Sequence, residues 1–175
     1  MVKNKIPGKH QPLKQQRHID QLFAEYTAYH QHPTNKLLQV IFIPLFILGL
    51  FGLVWAIPFP HLKFLGERND MFNWASVLIG VSIYFYYRLS PVISYFILFT
   101  LFILSYIITL IQQFQPNGSA LWQVSLLILI IGVTGIWLGY AAEKKNPGFG
   151  VRLKHIFIAP AYLWHIVLNK FSVKY

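Results

Sequence analysis

The chain has 175 residues, of which 55% are hydrophobic and only 11% are charged, and its formal net charge is +10. Soluble domains carry about 25% charged residues, so this composition excludes an ordinary water-soluble domain. The basic residues flank apolar segments, which argues against a nucleic-acid partner, and the absence of cysteine excludes disulfides.

The chain begins with a basic, polar segment that predicts a disordered arm over residues 1–18. A helix is then predicted over about 20–31, where apolar residues recur at the i, i+3, i+4, i+7 spacing of one helical face. These residues are Ile19, Leu22, Phe23 and Tyr26. His30 lies eleven residues after the first of them and returns to the same face. Pro33 is expected to end this helix, and Thr34 or Asn35 to cap the next one.

Four long apolar segments follow, and each is predicted to cross a membrane as a helix. About 20 apolar residues span the roughly 30 Å of hydrocarbon, and every backbone group must be bonded within the segment. The segments cover about 37–57, 72–87, 92–111 and 120–142, the second being the shortest. No Asp, Glu, Lys or Arg occurs between Arg88 and Glu143. Gly132, Gly135 and Gly139 on the fourth segment predict close packing against a neighbouring helix.

The last predicted element is a helix over about 152–171. Its apolar part, 156–168, contains Pro160 and His165 and is too short to cross a membrane. We expect this helix to lie in the membrane interface or to pack under the bundle. The predicted fold is therefore an all-α integral membrane protein, with a single domain over 19–172. It has four transmembrane helices and a cytosolic amphipathic helix at each end.

Positive charge is concentrated at both ends of the chain and at Arg88, between the second and third spans. The loop after the first span balances two basic residues with two acidic ones, and the loop near residue 116 has no charge. The positive-inside rule then places both termini and Arg88 in the cytosol. The membrane is either a bacterial inner membrane or the endoplasmic reticulum, and a homo-oligomer is left open.

Few side chains can carry chemistry, and the predicted topology puts them near one cytosolic boundary. They are His30, His32, His155, His165 and Glu143. Asn35 and Gln39 are four residues apart at the start of the first span, and Tyr140 and Glu143 are three apart at the end of the fourth. Each pair shares a helical face. The sequence therefore predicts a polar pocket beneath the bundle, to which Tyr26, one turn before His30, also contributes.

Four stretches of the chain carry a family resemblance. They are 26–44 (YTAYHQHPTNKLLQVIFIP), 86–90 (YYRLS), 139–147 (GYAAEKKNP) and 159–165 (APAYLWH). In order and spacing they resemble a small family of membrane proteins that includes a 2-hydroxy fatty acid dioxygenase of phytosphingosine breakdown. Tyr26, His30, Asn35 and Pro44 match the first motif of that family. The stretch 139–147 aligns without gaps with its Gly-His-x-x-Glu-Gly-x-x-Pro motif, and the resemblance covers about residues 19–170.

The resemblance implies an iron(II)-dependent oxygenase of fatty acid α-oxidation, which uses O₂ to shorten a 2-hydroxy fatty acid by one carbon. The fatty acyl chain can reach such a site from the membrane lipid while its carboxylate stays at the headgroup level. Imidazole suits iron as a ligand. The expected residues are His30 and His165 for Fe(II), Tyr140 and Glu143 for catalysis, and Tyr26, Asn35 and Gln39 for the substrate.

The chain departs from the family pattern at two positions. Gln39 stands where the family has its second His, and Tyr140 stands where it has the His after Gly139. An amide is a weaker iron ligand, and a phenol must lose a proton of pKa near 10 before it binds well. One interpretation is an active oxygenase with a rebuilt two-histidine, one-carboxylate site that includes Glu143. The alternatives are a catalytically silent lipid-binding or scaffold protein and a small transporter, and the absence of ionisable residues within the spans argues against the transporter.

Overall fold

The computed structural model describes residues 17–63, 66–67, 69, 72–114, 118–143 and 147–173. Within these ranges the chain forms six α-helices and no strand, so the all-α prediction is confirmed. The helices are α1 (His18–Tyr29), α2 (Pro33–Ala56), α3 (Trp74–Leu89), α4 (Pro91–Phe114), α5 (Leu121–Ala141) and α6 (Phe149–Lys170). Most of the predicted arm over 1–18 lies outside the described residues, and His18 already belongs to α1.

The connection between α1 and α2 is only three residues long, because α2 begins earlier than predicted. The His32 Nδ1 accepts a hydrogen bond from the Thr34 N–H at 3.2 Å, which makes His32 the cap of α2. Pro33 takes the first helical position, where its missing N–H costs no bond. The expected cap, Thr34 or Asn35, is wrong, since both residues lie inside α2. The end of α1 and the start of α2 therefore meet at one place.

The helices α2 and α5 run antiparallel in close contact. A Cβ on Gly132 would lie 2.6 Å from the Phe46 backbone N, and a Cβ on Gly49 would lie 2.5 Å from the Leu129 backbone N. Both distances are far inside van der Waals contact, so only glycine allows the two backbones to approach this closely. The predicted packing role of the glycines on α5 is confirmed. This contact brings the start of α2 beside the end of α5.

The two terminal helices, α1 and α6, pack on each other, and α6 also contacts α3 and α4. α1 buries the apolar face that its spacing predicts, namely Ile19, Leu22, Phe23 and Tyr26. The Tyr86 hydroxyl on α3 donates to the Phe157 carbonyl oxygen at 2.7 Å, and Trp164 Nε1 donates to Thr100 Oγ1 on α4 at 2.9 Å. The first half of α6 thus lies beside the end of α3. An interfacial location of α1 and α6 in a membrane stays a prediction.

Among the described residues, three helices, α2, α4 and α5, are long and apolar enough to cross a membrane. α3 has 16 residues, which at 1.5 Å each cover about 24 Å, less than the roughly 30 Å of hydrocarbon. The prediction of four helices that are each long and apolar enough to span is therefore wrong, because the described residues contain three. α3 is held short because Asn73 Oδ1 caps its start by accepting the Ser76 N–H at 2.9 Å, and Ser90 ends it before Pro91 begins α4.

Candidate functional site

A chain of hydrogen bonds links α1, α2 and the end of α5. The Tyr26 hydroxyl donates to Gln39 Oε1 at 2.6 Å, and Gln39 Nε2 donates to Asn35 Oδ1 at 3.2 Å. Asn35 Nδ2 in turn donates to Glu143 Oε1 at 2.8 Å. Tyr26, Gln39 and Asn35 are buried, so these bonds replace those that water would make. Burial, with a smaller effect of two neighbouring tyrosines, raises the pKa of the Tyr26 phenol, which therefore stays protonated and donates.

Glu143 ends this chain just past α5, opposite the start of α2. Its Oε1 also accepts the His32 backbone N–H at 2.8 Å. Partial burial raises the pKa of the carboxyl group, but hydrogen bonds from the Asn35 amide and from the backbone N–H groups of His32 and Gln31 outweigh it. The pKa of Glu143 is therefore below its ordinary value. The ionised carboxylate anchors the end of α5 to the α1–α2 connection.

His30, the C-terminal cap of α1, is a buried imidazole with one free nitrogen. The residue is 1% exposed, and its ring stacks on the Tyr26 ring with centroids 4.0 Å apart. Its Nδ1 lies 2.7 Å from the Tyr26 carbonyl oxygen, so Nδ1 carries the proton and donates it. Its Nε2 is buried without a hydrogen-bond partner. Desolvation lowers the pKa of His30, more than the Tyr26 carbonyl and Glu143 raise it, and leaves a lone pair on Nε2.

His155 on α6 supplies a second buried imidazole beside the first. Its ring centroid is 5.2 Å from that of His30 and 5.1 Å from that of Tyr26. The residue is 1% exposed, and neither ring nitrogen has a hydrogen-bond partner. Burial, together with the nearby His30, lowers the pKa of His155 to about 4. Three unpartnered imidazole nitrogens therefore lie in one small region, and each costs free energy unless something bonds to it.

A cavity of about 10 Å³ adjoins His155, and its polar wall is formed by Tyr26, Gln39, Tyr140 and His155. That volume holds about one water molecule or one ion. Two imidazoles on one metal ion have ring centroids about 5 Å apart, given metal–nitrogen bonds of about 2.1 Å, so the separation of His30 and His155 fits a shared ion. Among the described residues, no group of three or more His, Cys, Asp or Glu side chains gathers around a metal position. The fit is therefore to an ion held by two imidazoles.

Tyr140 lies beside the histidine pair at the end of α5. Its ring centroid is 5.1 Å from that of His30, and the Arg152 guanidinium lies 5.4 Å above the centre of the Tyr140 ring. The preceding Gly139 makes room for this arrangement, because a Cβ there would lie 2.5 Å from Asn35 Oδ1. The end of α5 can therefore pack on Asn35 while Tyr140 contacts His30.

The structure brings together six of the seven residues predicted for the site and places the seventh, His165, elsewhere on α6. The six are Tyr26, His30, Asn35, Gln39, Tyr140 and Glu143. The His165 ring contacts Phe23 at 4.4 Å and Tyr162 at 5.5 Å between centroids, and it is only partly buried. His155 and His165 are ten residues apart on one helix, about 15 Å along its axis, so they cannot share an ion.

His155 is the site residue that the sequence does not distinguish from the other reactive side chains. It stands just before the apolar segment 156–168, and nothing local prefers it to His165. The spacing of residues on α6 could have indicated His155, because four residues at i, i+3, i+4 and i+7 form one helical face. They are His155, Ile158, Ala159 and Tyr162. This pattern puts His155 on the same helical face as Tyr162, which packs on Tyr26 of α1.

These observations define an all-helical protein with three helices suited to crossing a membrane and a buried polar site at one end of the bundle, which indicates a membrane protein. The family model for 2-hydroxy-palmitic acid dioxygenase, Mpo1-like, matches residues 16–171, and the chain belongs to this family. The resemblance drawn from the motifs is thereby confirmed, and it relates the chain to 2-hydroxy fatty acid dioxygenases. No curated protein and no solved structure shows significant similarity to the chain.

Proposed function

We propose that the protein is a membrane-embedded, iron(II)-dependent dioxygenase of 2-hydroxy fatty acids. The observation that carries the proposal is the pair of buried imidazoles, His30 and His155, whose ring centroids are 5.2 Å apart and whose unpartnered nitrogens are free to bind an ion. His155 also lines a cavity that holds about one ion. Membership of the family supports the substrate class and the dioxygenase reaction, and the choice of iron rests on the suitability of imidazole as an iron ligand.

His30 and His155 would hold the iron. Both imidazoles are neutral, as metal binding requires. The Tyr26 carbonyl fixes the tautomer of His30 with Nε2 free, which is the usual arrangement behind a metal-bound histidine. The chemistry that bound iron(II) supplies is the activation of O₂ at coordination positions that the protein leaves open.

The side chains around the pair would position the substrate and exclude water. The Tyr140 phenol, beside His30, is suited to donate a hydrogen bond to an oxygen of the 2-hydroxy acid. Glu143 acts at a distance as a positioning residue, because its carboxylate is bonded to Asn35 and to the His32 N–H. Through Asn35 and Gln39 it fixes the hydroxyl of Tyr26, against whose ring His30 stacks.

We place the site at the cytosolic leaflet, with both termini in the cytosol. Support comes from the basic residues at this end of the bundle, since the Tyr86–Phe157 hydrogen bond brings the end of α3, with Arg88, beside the first half of α6, with Arg152. Positive charge favours the cytosolic side. A bacterial inner membrane and the endoplasmic reticulum both satisfy this arrangement.

The test is the iron content of the detergent-purified protein, loaded with Fe(II) without oxygen, followed by O₂ uptake with 2-hydroxypalmitic acid. Stoichiometric iron and turnover are expected in the wild type, and both should be lost in His30→Ala and in His155→Ala. His61→Ala, at an exposed position between α2 and α3, is the matched control. His165→Ala separates the two ligand assignments, because it keeps its iron if His155 is the second ligand. A folded wild-type protein that takes up no iron overturns the proposal.

A second candidate is a catalytically silent protein that binds lipid or organises other membrane proteins. Gln39 favours it, because its oxygen accepts from Tyr26 and its nitrogen donates to Asn35, so its amide is already engaged. This candidate predicts retention of fatty acid without iron or turnover. The double variant Gln39→His with Tyr140→His then tests the alignment with the family. A gain of iron supports a shared site, and no gain argues against one.

A further inference from the structure

A second, apolar cavity lies inside the bundle next to the site cavity. It has a volume of about 130 Å³ and lies between α2, α3, α4 and α6. Its walls are mainly carbon, with Phe51, Leu78 and Leu101 among them. Phe46 and Ile156 line both cavities, so the polar site and the apolar cavity meet at these two side chains.

We infer that this apolar cavity, called the tail cavity below, holds a segment of the alkyl chain of a fatty acid whose carboxyl end lies at the histidine pair. The assignment of the ligand as a 2-hydroxy acid, with its carboxyl end at the histidine pair, rests on the proposed function. An empty apolar cavity forfeits dispersion contacts along its lining, and an alkyl chain restores them without bringing a polar group that needs a partner.

The volume of about 130 Å³ holds several methylene groups, because a cavity of about 150 Å³ binds benzene. The length of the path along α2 suits one acyl chain. From Gln39, at the site, to Phe51, at the far wall of the tail cavity, α2 advances twelve residues, or about 18 Å. An acyl chain that fills one leaflet covers half of the roughly 30 Å of hydrocarbon, or about 15 Å. A fatty acid can therefore extend along α2 from the site to the far wall.

An outer groove supplies a route from the lipid. The groove has a volume of about 550 Å³ and lies between α1, α3 and α6. It shares Leu78, Ser82, Tyr86 and Phe157 with the tail cavity. Its outer wall includes Val81, an exposed apolar residue on α3. A fatty acid can thus move sideways from the membrane between α3 and α6 along mainly apolar side chains.

One other groove reaches the site and is the competing location for the chain. It has a volume of about 380 Å³, and Lys36, Val40 and Ile166 are among its lining residues, with His30 at one side. The tail cavity is preferred because it lies between four helices, whereas Val40 is exposed on the outside of α2. An alkyl chain gains more from the tail cavity, since more of its surface is removed from contact with its surroundings.

The test measures fatty acid binding to the metal-free protein in detergent by calorimetry, with 2-hydroxyoctanoic, 2-hydroxydodecanoic and 2-hydroxypalmitic acid as probes. Leu78→Trp fills the tail cavity, and Ser82→Leu fills it by a smaller change that the fold tolerates more easily. Both should weaken binding of 2-hydroxypalmitic acid about tenfold, the loss expected when about two methylene groups are shut out. Binding of 2-hydroxyoctanoic acid should be unchanged.

Two tryptophan controls make the result specific. Leu127→Trp, at an exposed position on α5, should leave all three affinities unchanged, and so should Val40→Trp, which fills the competing groove. The inference is overturned by an equal loss for all three acids in both filling variants, by an unchanged profile, or by a selective loss in Val40→Trp. It is also overturned if the metal-free wild type binds none of the acids.

Because these measurements need neither iron nor O₂, they are independent of the proposed activity. If the filling variants lose affinity only for the longer acids and the protein holds no iron, the tail-cavity inference stands and the dioxygenase proposal fails. If the protein binds iron and turns over substrate but the filling variants bind all three acids as the wild type does, the dioxygenase proposal stands and the tail-cavity inference fails.

Discussion

His30 and His155 differ from the other described histidines because both are buried with ring nitrogens that no protein group bonds. His18, His32 and His61 are exposed, and His165 is partly buried against Phe23 and Tyr162. Desolvation keeps the buried pair neutral in the folded protein, whereas the unfolded chain protonates its imidazoles near pH 6.5. The same property that suits the pair to the proposed iron therefore makes it sensitive to acid.

Acid should destabilise the metal-free protein in a defined window. The pKa of His30 is lowered and that of His155 is about 4, so between about pH 6.5 and pH 4 the unfolded chain binds more protons than the folded protein. The free energy of unfolding contributed by the pair is complete above this window and falls as the pH drops through it. Thermal unfolding in detergent across the window measures the effect. His155→Phe should flatten the dependence, and an equally steep curve in that variant would contradict this account.

The hydroxyl of Tyr26 should stabilise the fold through Gln39. In Tyr26→Phe the buried Gln39 Oε1 loses its donor, and the free energy of unfolding should fall by about 1–3 kcal/mol. Tyr84→Phe removes a hydroxyl from a residue that is 68% exposed and is the control, with an expected change within about 0.5 kcal/mol. Unfolding curves in denaturant compare the two variants. Identical midpoints would show that the buried hydrogen bond contributes no stability.

At the scale of the elements, the α2–α5 pair builds the site, because its antiparallel register sets the start of one helix against the end of the other. Asn35 and Gln39 on α2 thereby meet Tyr140 at the end of α5 and Glu143 just after it. The short connection from α1 then holds His30 at the same place. α6 completes the site from the outside by laying His155 against the α1 side chains.

Gly132→Ala should open the α2–α5 contact. Its Cβ would lie 2.6 Å from the Phe46 backbone N, so one helix backbone must move away from the other, at a cost of about 1–3 kcal/mol in the free energy of unfolding. Gly80→Ala on α3 is the matched control, since open space surrounds that position and alanine gains up to about 1 kcal/mol over glycine in a helix. Thermal unfolding in detergent should move in opposite directions for the two variants, and a shift in the same direction would count against the packing argument.

At the scale of the whole molecule, the start of α2 and the ends of α3 and α5 lie at the same end of the bundle as the site. The connection from α2 to α3 lies at the other end. Although α3 is too short for the usual hydrocarbon thickness, it returns the chain to the site end. A cluster of buried side chains shows where α3 starts, because Phe51 near the end of α2 packs there with Ala75 at the start of α3 and Ile108 near the end of α4. The Tyr86–Phe157 hydrogen bond shows where it ends.

The absence of cysteine allows a direct test of sidedness. Single cysteines at His18, before the site, and at Tyr87, near the end of α3, should react with a membrane-impermeant maleimide from the same side. A cysteine at His61, between α2 and α3, should react from the opposite side. Labelling of intact cells and of inverted vesicles distinguishes the two. If His18→Cys and His61→Cys react from one side, the bundle is not oriented as proposed.

The sequence by itself determined the features that depend on local periodicity, composition and motif spacing. A helix in lipid must bond its own backbone, so long uncharged apolar runs predicted α2, α4 and α5 directly, and the spacing of Ile19, Leu22, Phe23 and Tyr26 predicted the buried face of α1. The order and spacing of the four stretches at 26–44, 86–90, 139–147 and 159–165 pointed to the family that the family model confirms. The length of α3 was predicted correctly, since 72–87 and Trp74–Leu89 both contain 16 residues, but the prediction that this helix is one of four long enough to span was wrong.

Only the tertiary structure decided which groups share the site. His155 lies beside His30, although the two are 125 residues apart in the chain, because α6 crosses α1 at that point. His165 has the same side chain but lies about 15 Å further along the same helix. Likewise, the hydrogen bond from Tyr26 to Gln39 depends on how α1 packs beside α2, whereas the bond from Gln39 to Asn35 is local to α2. Contacts between distant elements follow from the packing of whole helices, and no local pattern in the chain specifies them.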